Sequence, residues 1–238
     1  MNRYALIAAA VVLIAGCNSS PTSSAENTVG GANVVSTAQA PLTEGATSLS
    51  LDWGTKAQAG HVAIADVITY GGPKITITTP TGWQLIRDDS GPVTRQSLYW
   101  HAVQPNDSST TAWAFSEPVD AQGAVLLLDN VASSAPIDMT TGNSGNGGTM
   151  LAKSVVTTAD GDLILSFFAT DFDRPDLGPT LPENTKTVII QERPSHEYWI
   201  LADYQTLLGS TDDQVCSAAQ VLKWIGAQVA IKKGTATP

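Results

Sequence analysis

Residues 75–115, ITITTPTGWQLIRDDSGPVTRQSLYWHAVQPNDSSTTAWAF, constrain the fold more than any other stretch of the chain. Four short runs rich in β-branched and aromatic residues are separated by Pro80-Thr81-Gly82, by residues 88–92 and by residues 105–109. Such punctuation reads as consecutive antiparallel strands joined by tight connections. Alternation along each run gives an inner face: Trp83 with Leu85, Leu98 with Trp100 and Ala102, and Trp113 with Phe115. The pattern predicts three tryptophans aimed into one interior between two sheets.

The flanking sequence extends this plan. HVAIADVITY (61–70) is apolar on both faces apart from Asp66, as a central strand is, and GAVLLL (123–128) is a second buried run. Further strands are expected at 151–157, 163–170, 187–192, 198–204 and 221–231. GNSGNGG (142–148) reads as a loop too rich in glycine for regular structure. Pro175, Pro179 and Pro182 make 171–184 a long loop. Residues 214–224 could be mistaken for a helix, but Val229-Ala230-Ile231 draws that end toward a strand. About ten strands, with turn signals every 8–12 residues, predict an all-β fold: a two-sheet antiparallel β-sandwich of jelly-roll type spanning 49–232.

The segments GHVAIADVITYGG, ITTPTGWQLIRDD, RQSLYWHAV, AWAFSEP, AVLLLDNV and KWIGAQVAI, with the corner Ala135-Pro136-Ile137-Asp138, resemble a β-sandwich domain of secreted bacterial and phage-associated proteins. Alanine stands at Ala135 where that corner usually has asparagine. The resemblance implies the sandwich fold and an accessory role in attachment or spacing, and it brings no catalytic residues.

The first seventeen residues, MNRYALIAAAVVLIAGC, place Arg3 ahead of an unbroken apolar run over 5–15. That run is too short for a bilayer span, which needs roughly 20 residues, and suits a secretory signal. Leu13-Ile14-Ala15-Gly16-Cys17 resembles the bacterial lipobox. The resemblance implies removal of residues 1–16 and acylation at Cys17, whose thiolate is the nucleophile that takes the lipid. Two or more acyl chains anchor stably where one would be marginal. Asn18 rather than aspartate follows, which by resemblance to enterobacterial lipoproteins points to the outer membrane, facing the periplasm or the cell surface. Residues 17–48, poor in charge and in periodicity, read as the lipidated cysteine and a flexible tether reaching about 30 Å. Residues 233–238 read as a disordered tail.

The chain carries 12 Lys+Arg against 22 Asp+Glu, a net charge of −10, which disfavours nucleic acid and anionic lipid as partners. With Cys17 acylated, Cys216 has no partner for an intrachain disulfide and is expected to be a small buried residue. No histidine stands in a metal-ligand spacing and no serine in a nucleophile motif. Asp171, Asp173 and Asp176 lie within six residues and could ligate calcium, the one cofactor this sequence suggests. They also suit a solvated acidic loop, since the spacing lacks the glycine and distal glutamate of a helix-loop-helix site. If Trp100 faces inward, then Arg95, Tyr99 and His101 form the outward row of the same strand, a surface suited to stacking on a sugar ring. The expectation is a non-enzymatic, membrane-anchored binding or structural module whose ligand is a glycan or an envelope protein. The alternative is an envelope carbohydrate hydrolase using a carboxylate pair.

The anchor is directly testable. Cys17→Ser should abolish palmitate incorporation and alter processing of the signal, and persistent labelling would end the lipoprotein reading.

Overall fold

A computed structural model describes residues 31–171, 180–182, 185–191, 196–205 and 208–234. In chain order the strands are β1 (Asn33–Asp52), β2 (Val62–Thr69), β3 (Ile77–Thr78), β4 (Gln84–Ser90), β5 (Arg95–Ala102), β6 (Thr110–Asp129), β7 (Ile137–Ala152), β8 (Val156–Thr157), β9 (Asp162–Asp171), β10 (Lys186–Gln191), β11 (His196–Gln205), β12 (Gly209–Ser210) and β13 (Gln214–Ile231). The fold is an all-β sandwich of antiparallel sheets, with thirteen strands among the described residues rather than about ten. The jelly-roll expectation holds for the two packed antiparallel sheets and not for interleaved connectivity. One sheet, ordered β1-β6-β2-β5-β4 with β3 also on β6, comes from the first half of the chain, and the other, β10-β11-β9-β13-β7, from the second.

The two sheets follow one plan. Each begins with a long strand, β1 or β7, paired antiparallel to the long last strand of its half, β6 or β13. Each then places its first short strand, β2 or β9, beside that last strand. Across the sandwich β4 meets β7 and β1 meets β10, so the plan runs across the two sheets in opposite senses.

Why the long strands are long follows from burial. All eight residues of β2 are buried, as are residues 162–170 of β9, so both faces of each sheet need cover. The inner faces meet in one core, which includes Ile64, Ile68, Leu98, Leu126, Leu165, Phe167, Tyr198 and Val229. The outer face of the first sheet (Ala63, Ala65, Val67, Tyr99, Val125) is covered by Leu49, Leu51, Trp113 and Phe115 from the far arms of β1 and β6, which double back over their own sheet. Register shifts between Ala40 and Ser48 mark the bend in β1. The second sheet repeats the device: Phe168, Trp199 and Leu201 lie under Met150, Cys216 and Leu222 from β7 and β13.

A glycine in each half meets a neighbouring backbone closely: Gly123 meets β2, its partner in the same sheet, and Gly226 meets the returning arm of β7. A Cβ on Gly123 would lie 2.4 Å from the Asp66 carbonyl oxygen, and one on Gly226 would lie 2.5 Å from that of Leu151.

Several expectations are corrected. Residues 33–48 are not tether but most of β1, paired with β6 nearly throughout, so the domain begins before residue 49. Residues 142–148 lie in strand β7 rather than a loop. Its glycines make room for neighbours: a Cβ at Gly145 would meet the Trp224 ring, and one at Gly142 would meet the Arg87 guanidinium, which donates to Thr140 from β4. Residues 214–224 are strand, as the flanking residues suggested. Trp83 and Trp113 are buried but in the outer layer, whereas Trp100 is half-buried at the inter-sheet core, so the three do not share one interior. Cys216 is buried as expected, and burial pushes its thiol up to about 12.

Gly123→Ala and Gly226→Ala should each destabilise by about 1–3 kcal/mol, as overpacking does. Urea melts would check this, and unchanged midpoints would show that the folded-over layers are not tight at these points.

Candidate functional site

The connections β1–β2 (residues 53–61) and β5–β6 (residues 103–109) meet at one end of the first sheet. They are tied at their bases by Trp53 N–H to Ser109 O (2.8 Å) and Val103 N–H to His61 O (2.9 Å). Between them lies a cleft of about 460 Å³, lined among others by Trp53, Gln58, Gln104, Asp107, Ser108 and Ser109.

Its floor is rigid for identifiable reasons. Pro80-Thr81-Gly82-Trp83 closes a turn, with Trp83 N–H donating to Pro80 O (3.1 Å) and Gly82 in the left-handed region at φ 84°. The Gly82 carbonyl lies 2.8 Å from His101 Nδ1, and the His101 ring stacks on Trp83 at 5.3 Å between centroids. Trp53 meets both rings edge-on, at 5.6 Å from Trp83 and 5.5 Å from His101. His101 Nε2 lies 2.7 Å from Asp107 Oδ2, which also accepts the Gln104 backbone N–H at 2.6 Å. Burial pushes the Asp107 carboxyl up, but the Gln104 N–H and the His101 ring outweigh that and hold it below the ordinary carboxylate value. Asp107 is therefore a fixed anionic acceptor on the rim. Trp53 is 4% exposed, and its Nε1–H is buried without a hydrogen-bond partner.

The matching connections of the second half, residues 153–161 and the described residues 208–213, are zipped together instead. β8 pairs with β12 through Gly209 with Thr157 and Ser210 with Val156, and Thr211 N–H donates to Val155 O at 2.8 Å. Val155 packs down onto Ile164 and Ala230. The cleft is thus a departure from the repeated plan. No family model, curated protein or solved structure matches this chain.

The sequence-predicted row does not form an exposed surface. Tyr99 is 2% exposed beneath Trp113, and His101 is buried behind the cleft. Arg95 lies at the other end of β5, holding Asp88 with two nitrogens and the Ile75 carbonyl with a third. The outer arms of β1 and β6 cover the face that parity alone leaves wet. Asp171 ends β9, with one oxygen 3.7 Å from His196 Nε2, while Asp173, Asp176 and Cys17 lie outside the described residues. Among the described residues, no group of three or more His, Cys, Asp or Glu is placed to hold a metal ion. Alternation within strands missed the cleft because it is built from loops. The available signal was Trp53-Gly54 closing a strand and a histidine six residues before Asp107.

Two buried carboxylate sites lie away from the cleft. Asp66 sits on the inner face of β2, where Gln96 Nε2 donates to its Oδ2 at 3.0 Å. Its Oδ1, Gln96 Oε1 and Gln122 Oε1 are all buried without partners, so a proton on the carboxyl supplies a donor this group lacks. Burial, only partly offset by Gln96, pushes Asp66 up to about 8. Asp162, fully buried, is pushed up to about 7 by burial and by the neighbouring Asp138, with Lys232 and Lys233 opposing. Asp138 accepts the Thr158 backbone N–H at 2.6 Å and its hydroxyl, which joins the start of β7 to the turn before β9.

Both raised groups have the same sign of linkage. The folded state keeps each proton to a higher pH than the unfolded chain, where an aspartate titrates near 3.9. Their contribution is complete below about pH 4 and is lost as pH rises through 7 and 8. Stability should therefore fall between pH 5 and 8, on the order of 1 kcal/mol per unit for each group that still holds its proton, and Asp66→Asn should flatten the decline, most visibly between pH 7 and 8. Denaturant melts across that range decide it: parallel wild-type and mutant curves would remove Asp66 as a cause.

Proposed function

We propose that this protein is an extracytoplasmic lipoprotein, held at the outer membrane through Cys17, whose sandwich is a non-enzymatic binding module of the envelope or of a surface assembly. The carrying observation is the cleft between residues 53–61 and 103–109, open in one half of a molecule whose other half closes the matching connections with a ladder. A fold built twice needs no such opening for stability, and a concave site that sets a few fixed polar groups among apolar ones is the usual form of a recognition surface. The lipobox-like sequence ending at Cys17 supports the address, and the net charge of −10 supports attachment by lipid rather than by surface charge. The Asp138–Asp162 pair offers no support for a hydrolase, because both oxygens of Asp162 are buried.

The test uses the full-length chain in detergent and its retention on isolated envelope fragments. Gln58→Trp, at an exposed position on the cleft wall, should reduce retention at least tenfold while leaving the melting temperature unchanged. Equal retention of the two proteins, or none by the wild type, overturns the reading.

A further inference from the structure

We infer that the cleft binds an uncharged saccharide, with the Asp107 carboxylate and the Gln58 amide gripping its hydroxyls; this rests on the binding-module reading above and supplies its ligand class. The lining is mixed: the amides of Gln58 and Gln104, the hydroxyls of Thr55, Ser108 and Ser109 and the Asp107 carboxylate alternate with small apolar groups, and no Lys or Arg contributes to it. An anionic ligand would meet the Asp107 charge in a chain already at −10, and the one cation of the wall loop, Lys56, is exposed and does not line the cleft. A peptide strand would need a free sheet edge or apolar pockets, whereas these walls are loops tied to each other at Trp53–Ser109 and His61–Val103. A polyhydroxyl ligand needs what is present: acceptors and donors side by side at fixed positions.

Each group has spare capacity of the required kind. Oδ2 of Asp107 is occupied by His101 and by the Gln104 N–H, which leaves Oδ1 as an acceptor whose direction is already set. Gln104 spends Nε2 on the Ala102 carbonyl and keeps its Oε1, and Ser108 accepts the Thr110 N–H while its own proton remains to donate. Gln58, exposed on the opposite wall, presents donor and acceptor together, the pairing that matches two adjacent hydroxyls. At 4% exposure the Trp53 indole is no stacking platform, so recognition runs through hydrogen bonds at the rim. A carboxylate fixed from behind, by a ring that Gly82 and Trp83 fix in turn, loses little freedom on binding. The volume of about 460 Å³ falls in the range of small-molecule sites and gives room for one or two sugar rings.

The experiment titrates full-length protein in detergent with glucose, galactose, mannose, N-acetylglucosamine and their disaccharides, with glucuronic acid as the anionic control, by calorimetry and tryptophan fluorescence. At least one neutral sugar should bind and glucuronic acid should not. Asp107→Asn should weaken binding at least tenfold, and Gln58→Ala, which removes an exposed side chain, severalfold. Should Asp107→Asn fail to fold, Gln58→Ala decides alone. No neutral sugar bound, preference for the anionic sugar, or unchanged affinity in the folded variants overturns the inference. If envelope retention is nonetheless lost in Gln58→Trp, the binding module stands and its ligand is of another class.

Discussion

β2 and β9 are buried on both faces, and the need to cover each of them twice shapes everything else in the molecule. A two-sheet sandwich covers one face of each sheet by construction. The second cover is made mostly by letting the long strands run past the edge of the layer and return over it, with the small β8–β12 ladder closing the end where Val155 packs on Ile164 and Ala230. β1, β6, β7 and β13 are long for this reason: Trp113 over the first sheet, and Met150, Cys216 and Leu222 over the second, are carried on the returning arms. Where the arms return they lie close: Leu49 of β1 comes down on Gly123, and the Leu151 carbonyl of β7 on Gly226.

The same constraint explains which parts of the fold could be read from sequence. Strand identity was legible wherever apolar runs met turn chemistry: the Pro80-Thr81-Gly82 turn forms as written, and Asn130, which takes a positive φ of 53°, closes β6 after Asp129. What could not be read was the fate of weakly apolar segments. Residues 33–48 lack a hydrophobic face because β1 gains much of its hold from its ladder with β6 rather than from side-chain burial. The glycines of 142–148 looked like loop because they yield space to Arg87 and Trp224, which belong to other strands. Parity on β5 was correct, since Leu98 and Tyr99 do face opposite ways, but the inference that one face was wet failed because the cover came from residues 110–115 and 46–52 folding over it.

The site was legible only in fragments, for a related reason. A loop cleft is defined by two connections far apart in sequence, so neither shows it alone. His101 was visible as a polar residue on a strand, but its orientation toward Asp107 depends on the Gly82 carbonyl and the Trp83 ring behind it. Comparison of the two halves distinguishes the cleft from an ordinary gap between loops, because the second half shows the same connections closed.

The doubling back of β1 has a mechanical consequence. Asn33 pairs with Asp129 at the end of the sheet where β2 begins, and the returning arm brings Asp52 and the cleft back to that same end. The point where the described chain enters the sheet and the point where a ligand would be held are thus joined through the first half alone. Tension between them would run along β1 and the ladder it shares with β6. The second sheet stands outside that load path.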